Sequence, residues 1–388
     1  MTETADAIIV GAGIHGASLA FHLAESGLKP IILERSTAAV GATGRSSGLV
    51  RMHYDVEADA RLAWVSHGYF ANWSDRVGGD AGFVRTGFVQ LVPPNEVEAL
   101  RQNVAMQQRL GIDTRLIGPE EVKARVPGAM VDDVQVAAWE EQSGYADPTM
   151  TTTSLIAAAV DRGARLVTRC TVSEVLLDGD RVIGVETSRG RFEAPVVVDA
   201  AGAWAGPLAA SAGVEVPLQV WRHDVAYVRR PEGMARHPVI IDFANSMYAR
   251  PEGDNLTLVA LEDGNPLGGS PDAPVDAAAP GFLERAAERL SKRLPAMEDA
   301  GLHSAHSGQD GITPDQHPII GPAGPDGFYL DCGFSGTGFK IAPAVGVALA
   351  ELIRDGEARV ADLRPYRFER FAENDPIVGE HPYAPIWR

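Results

Sequence analysis

The chain has 388 residues, 45% hydrophobic and 22% charged. These proportions exclude a disordered, collagenous or coiled-coil protein and leave room for two to three domains of about 150 residues each. With 34 basic against 52 acidic side chains the net charge is −18, which repels phosphate backbones and anionic lipid surfaces and argues against a nucleic-acid partner. Two cysteines, Cys170 and Cys332, are too few for a disulfide framework or a zinc knuckle and are expected as reduced thiols. No basic segment precedes the first apolar run, and no run approaches the ~20 apolar residues of a membrane span. The expected location is therefore cytoplasmic.

In chain order, Ala7 to Val10 predicts a buried parallel strand. Gly11, Gly13 and Gly16 follow as G-x-G-x-x-G, and apolar residues at Ile14, Ala17, Leu19, Ala20 and Leu23 predict a helix that Gly27 ends. Ile31 to Leu33 is a second strand, with Glu34 at its end. In this arrangement Gly11 allows the tight turn, Gly13 lets backbone approach a pyrophosphate, and Gly16 lets the helix lie against the sheet. The helix N-terminus offers N–H groups to the phosphates. Glu34 accepts ribose hydroxyls. Strand, helix, second strand and acid all stand at the spacing of a dinucleotide-binding unit.

The next segment, GATGRSSGLVR at 41–51, is rich in small residues, so it offers many backbone amides and admits a bulky ring system. Residues 196–205 (VVVDAAGAWA) predict another buried strand. Gly264–Gly281 reads as a loop by its Gly and Pro content, either a surface excursion or part of a lid. Phe328 to Asp331 predicts a strand, Gly333 to Gly338 a glycine-rich turn, and Ile341 to Ile353 a helix. A turn of this kind leading into a helix N-terminus favours negative charge, such as that of a reduced flavin.

Taken together, GAGIHG at 11–16, Glu34, GATGRSSG at 41–48, Arg51, AGAWA at 201–205, TPDQHPIIG at 313–321 and GFSGTGFK at 333–340 resemble the D-amino-acid oxidase superfamily of flavoproteins. Within it they resemble the sarcosine oxidase (monomeric or β subunit) and dimethylglycine dehydrogenase branch. The resemblance covers about residues 5–365. It implies an α/β fold: a Rossmann-type FAD-binding domain and a second α+β substrate domain with a largely antiparallel sheet. The FAD domain is expected at 1–84, 144–218 and 308–365, the substrate domain at 85–143 and 219–307, and a weakly patterned tail at 366–388. The residues expected around FAD are Gly11, Gly13, Ile14, His15, Gly16, Glu34, Arg35, Thr43, Gly44, Arg45, Ser46, Ser47, Val172, Gly202, Trp204, Gly308, Gly333, Gly336, Thr337, Gly338 and Lys340.

Lysine is scarce, four residues against 30 arginines, so Lys340 at the end of the glycine turn stands out. By the resemblance, Arg51 and Lys340 grip a substrate carboxylate, and two such cations over a flavin would orient an amino acid for hydride transfer. His53, Tyr54 and Tyr248 are candidates for binding the amine or carboxylate. His317 is expected to support the flavin loop. No cluster has metal-ligand spacing, so no metal is expected.

Two departures from the family pattern matter. The cysteine that tethers FAD in monomeric sarcosine oxidases is replaced by Gly308, so FAD should be non-covalent. The oxygen-activating lysine falls near Thr257, in a segment (248–261) without lysine, so O2 or another electron acceptor is expected. The leading reading is an FAD-dependent oxidoreductase acting on the C–N bond of a small N-methyl, secondary or cyclic amino acid. The alternatives are a 2-hydroxy acid dehydrogenase, with His53 as base, and a flavin-binding β-type subunit that requires a partner subunit.

Overall fold

A computed structural model describes residues 3–383. Its centre is a six-stranded sheet in the order Arg165–Val167, Pro30–Leu33, Ala7–Val10, Val197–Asp199, Phe328–Cys332 and Ile319–Pro322, parallel except for the last pair. Its strands are apolar on both faces because both faces are covered. Ala7 and Ile9 enter one core with the helices Ile14–Glu25 and Gly338–Asp355. Ile8 and Val10 enter the opposite core, with Val175, Val182 and Val185 of a four-stranded sheet. The helix Ile14–Glu25 is buried on all but its last residue. That explains why its sequence lacks a polar face.

A second sheet has eight strands in the order Gly301–Ile312, Gln219–Arg229, Leu256–Leu261, Met247–Glu252, Val239–Asp242, Phe88–Leu91, Ala137–Glu140 and Thr114–Ile117. All of its neighbours are antiparallel except Val239–Asp242 with Phe88–Leu91. Here too the period of two sorts side chains. Val89, Ile240, Ala249 and Val259 pack on one face under Phe282, Ala286 and Leu290 of the helix Phe282–Arg293. Phe88, Ile241, Tyr248 and Leu258 lie on the other, with Leu49. The α/β architecture with a largely antiparallel second sheet is as the sequence implies.

The strand Gly301–Ile312 crosses the 307/308 boundary drawn from the sequence. Its first four residues are exposed and its last two buried. Residues 366–383 of the tail are held against the rest of the chain; 384–388 lie outside the described residues. The anchor is Arg370, fully buried, which donates to both Asp315 oxygens (2.7 and 2.9 Å) and to the His317 carbonyl (2.9 Å). Tyr366 donates to Asp59 at 2.6 Å, and the Asp315 side chain accepts from the Ile377 N–H at 3.1 Å. Among the described residues no helix is long and apolar enough to cross a membrane.

Candidate active site

A cavity of about 640 Å³ opens at the C-terminal ends of the parallel strands, the place where such sheets take ligands. Gly11 turns the chain at φ +111°, and a Cβ there would sit 2.5 Å from the Ala200 carbonyl oxygen. A Cβ on Gly16 would sit 2.0 Å from the Gly11 oxygen, so Gly16 lets the helix touch the strand turn and does not line the cavity. Gly13 heads the helix with no side-chain cap, leaving first-turn N–H groups for an anion. Thr43 reaches across and accepts from the Ile14 N–H at 3.1 Å. Glu34 accepts from the Ala12 and Ser36 N–H groups at 3.0 and 2.7 Å, which fixes its carboxylate at the cavity edge.

Most of the residues expected around a dinucleotide meet here. Gly11, Gly13, Ile14, His15, Glu34, Arg35, Thr43, Arg45, Ser46, Val172, Gly202, Trp204, Gly308, Gly333, Gly336 and Gly338 all line this cavity. Gly44 does not; it packs on the Ala39 carbonyl, where a Cβ would come within 2.3 Å. Ser47 points away, its hydroxyl bonded to Tyr248 and its carbonyl to Arg250. Thr337 lines a different cavity, and Lys340, also expected around the cofactor, lines neither.

The Gly264–Gly281 loop covers part of the opening. Asp272 accepts from Trp204 Nε1 (2.8 Å) and from Arg35 (3.1 Å), and Arg35 stacks over the Trp204 ring at 4.0 Å. Deeper in, Asp331 is buried and lines the cavity, yet neither carboxylate oxygen has a hydrogen-bond partner. His15 Nδ1 lies 3.5 Å from it. An unsatisfied buried carboxylate is costly, and the hydroxyls of a ribityl chain are the donors it lacks. Glycine approach, uncapped helix end, edge acid and orphan carboxylate together fit a flavin dinucleotide.

The second cavity, about 610 Å³, lies between the eight-stranded sheet and the tail. Arg51, His53, Tyr54, Gln90 and Glu262 line it, together with Phe371, Ile377 and Tyr383 of the tail. The Arg51 guanidinium donates to the His53 carbonyl, lies 4.5 Å above the Tyr54 ring, and leaves its Nε without a partner. Lys340 sits in the first turn of its helix, 6% exposed, with Nζ 5.9 Å from the same ring. Burial and the neighbouring Arg51 pull its pKa well below the ordinary lysine range, while Asp310, Asp59 and Glu262 oppose this. Burial pushes Glu262 up to about 7 against the pull of Arg51 and Lys340. It also pushes Asp310 to about 6.

His53 is fixed as one neutral tautomer. Gln107 donates from Nε2 to the Tyr54 carbonyl (2.8 Å), so its Oε1 faces His53 Nδ1 (3.0 Å), which must donate. Nε2 then accepts from the Tyr383 hydroxyl at 2.7 Å. Burial, with Arg51 nearby, lowers the His53 pKa to about 3. Tyr248 is elsewhere: its hydroxyl is bonded to Ser47 and to His223 (2.6 Å), and it does not line this cavity. Thr257 is buried against His237 at 2.9 Å. His317 contacts Asp59 at 3.1 Å.

Sequence reasoning missed Glu262, Gln90, Arg370 and Tyr383. Glu262 carried one signal, an acid placed directly after the apolar strand Leu256–Leu261.

A family profile for FAD dependent oxidoreductases (DAO) matches residues 6–352. The chain belongs to this family. It is 30% identical to mitochondrial sarcosine dehydrogenase of Mus musculus over 96% of its own length and 42% of that protein's. It therefore spans less than half of that relative. It is 26% identical to sarcosine oxidase subunit beta of Rhodobacter capsulatus, over 96% of this chain and 90% of that one. Among solved structures, L-proline dehydrogenase from P. horikoshii superposes with a TM-score of 0.90 at 28% identity, covering 97% of this chain and all of the other.

Proposed function

We propose that this enzyme oxidises the C–N bond of a small amino acid, N-methylated, secondary or cyclic, with FAD bound non-covalently in the first cavity. The observation that carries the reading is the pair of cations at the glycine turn: Arg51 lines the second cavity and Lys340 is buried close by, both against the Tyr54 ring. Sarcosine and proline, named for two of the similar proteins, are both secondary amines with a carboxylate. Cys170 and Cys332 are free and buried, and neither lines either of the two cavities described, which supports non-covalent FAD and fits a reducing cytoplasm.

When bound, FAD supplies the two-electron acceptor for hydride from the carbon next to nitrogen. The chain does the rest. Arg51, whose Nε is unpartnered, gives the substrate carboxylate its counter-charge, and buried Lys340 adds positive charge nearby without lining the cavity. The Tyr54 ring beneath the guanidinium fixes its plane. The neutral His53–Tyr383 pair holds the tail over the cavity and keeps water out. The imine product hydrolyses in water. His53 Nε2 accepts from Tyr383 and resists protonation, so His53 is poorly suited to be the base that a 2-hydroxy acid would need.

The test is an anaerobic absorption spectrum with a panel of N-methyl and cyclic amino acids. Bleaching of the flavin bands by one of them supports the reading. Bands that no amino acid bleaches would sink it. Admitting air then distinguishes O2 from another acceptor by how fast the colour returns. In Arg51→Ala, kcat/KM should fall about a hundredfold or more, because a buried charge partner is lost. Unchanged kinetics would remove Arg51 from the site.

A second reading, a subunit working with a partner chain, is favoured by the match over 90% of the sarcosine oxidase β subunit. A catalytically active particle of one chain in size-exclusion chromatography would exclude it.

A further inference from the structure

We infer that Glu262 recognises the substrate amine and takes its proton, so that the amino acid binds as a zwitterion, carboxylate towards Arg51 and ammonium towards Glu262. The inference rests on the amino-acid reading above.

Glu262 is 7% exposed, lines the second cavity with Arg51, and feels the Arg51 charge. Its backbone is fixed, the N–H donating to the Ser246 carbonyl at 3.0 Å. Its Oε2 is buried without a hydrogen-bond partner, and among the described residues no cation lies within ion-pairing distance. A carboxylate left in this state is costly unless something else completes it. A ligand ammonium, donating N–H and bringing positive charge, is the group it lacks.

The other acids of the cavity wall are already used. Asp315 is held by Arg370 at 2.7 Å, and Asp55 accepts from the Tyr383 N–H at 3.4 Å. His53 Nε2 is committed to Tyr383. Lys340 is not among the residues lining the cavity. Glu262 remains.

An ammonium nitrogen has no lone pair to drive loss of hydride from the adjacent carbon, so it must first be deprotonated. The step is balanced within the site: one N–H bond of the ammonium breaks, one O–H bond forms on Glu262, and no electrons are transferred. The charged groups acting on Glu262 are Arg51 and Lys340, which favour its ionised form, and Asp263 and Asp242, which oppose it. Tyr54 and Tyr383 also face the cavity, both pushed up by burial and so neutral. Burial outweighs the two cations and sets Glu262 at about 7. The ionised form is the one that binds and accepts, so affinity for a cationic amine must rise as pH increases through that value.

The test uses FAD-loaded enzyme and two non-reacting probes, followed by perturbation of the flavin bands. N,N,N-trimethylglycine carries a carboxylate and a fixed positive charge; tetrahydrofuran-2-carboxylate carries the carboxylate alone. Wild-type affinity for the first should rise about tenfold between pH 6 and 8, and affinity for the second should not. Glu262→Gln should flatten the first profile, weaken that probe about tenfold at pH 8, and leave the second within about threefold. With the substrate that bleaches the flavin, the acidic limb of kcat/KM should vanish in Glu262→Gln and the rate at pH 8 fall about a hundredfold, as for loss of a positioned base.

A flat wild-type profile for trimethylglycine overturns the inference without any variant. So does a Glu262→Gln enzyme that keeps the acidic limb. Wild-type enzyme that binds neither probe and bleaches with no amino acid overturns the amino-acid reading as well, and does so before any substitution is made.

Discussion

The two cavities are similar in size, about 640 and 610 Å³, but they are made of different material. The first is walled largely by backbone. Gly11, Gly13, Gly308, Gly333, Gly336 and Gly338 line it; the turns with Gly11 and Gly333 follow directly on two strands of the six-stranded sheet, and Gly308 comes from the strand Gly301–Ile312 of the other. The second is walled by side chains brought from distant parts of the chain: Arg51, Gln90, Glu262 and Tyr383. A cavity of backbone is specified by where side chains are missing, and tolerates no addition. A cavity of side chains is specified by tertiary contacts, and its contents can change while the frame stays.

The sharpest way to break this comparison is Arg370→Ala. Removing one partner of a buried ion pair leaves Asp315 charged and uncompensated, at a cost of about 3–5 kcal/mol. The urea midpoint should drop accordingly. In the protein that remains folded, KM should rise while flavin content stays at the wild-type level. Loss of flavin with an intact KM would mean that the tail supports the first cavity and not the second.

Gly16→Ala acts on the other side. The added methyl meets the Gly11 carbonyl oxygen at 2.0 Å, backbone that cannot swing away, so about 1–3 kcal/mol of overpacking is expected. Flavin per chain, read from the absorbance of the released cofactor, should fall about tenfold at limiting FAD. Full flavin content would show that the helix can shift without cost.

The smallest effect belongs to Asp272→Ala. Its bond to Arg35 is an exposed one, and such pairs contribute about 0–1 kcal/mol. Thermal stability should hardly move, while FAD dissociation should quicken about two- to fivefold as the Gly264–Gly281 loop loosens. An unchanged off-rate would reduce that loop to decoration of the surface.

The same division explains what the sequence disclosed. The strand Ala7–Val10, the glycine turn, the helix Ile14–Glu25 and the strand Pro30–Leu33 are written in local composition, because a tight turn and a close approach each demand glycine at a fixed position. Even there, Gly16, Gly44, Ser47, Thr337 and Lys340 do not line the cavity, since a motif fixes the path of a loop and not the direction of each side chain. The second cavity was legible only in the segment after the small-residue loop, where Arg51, His53 and Tyr54 line it; Lys340, which stood out among arginines, is buried beside Tyr54 without lining it. Tyr248 faces the correct side of its sheet, but Ser47 and His223 claim its hydroxyl. Glu262 reads in sequence as the polar start of a loop. Arg370 gains its meaning from Asp315, 55 positions away, which no local pattern carries.

The ordering of the tail has a consequence for how the molecule comes into being. Every residue lining the first cavity has been synthesised by position 339, whereas the second is closed by Arg370 to Tyr383. On a translating ribosome, the nucleotide-holding half can be complete while the reaction chamber still lacks its outer wall. Competence to hold the cofactor therefore precedes competence to turn over substrate, because residues 370–383 are made after every residue of the first cavity.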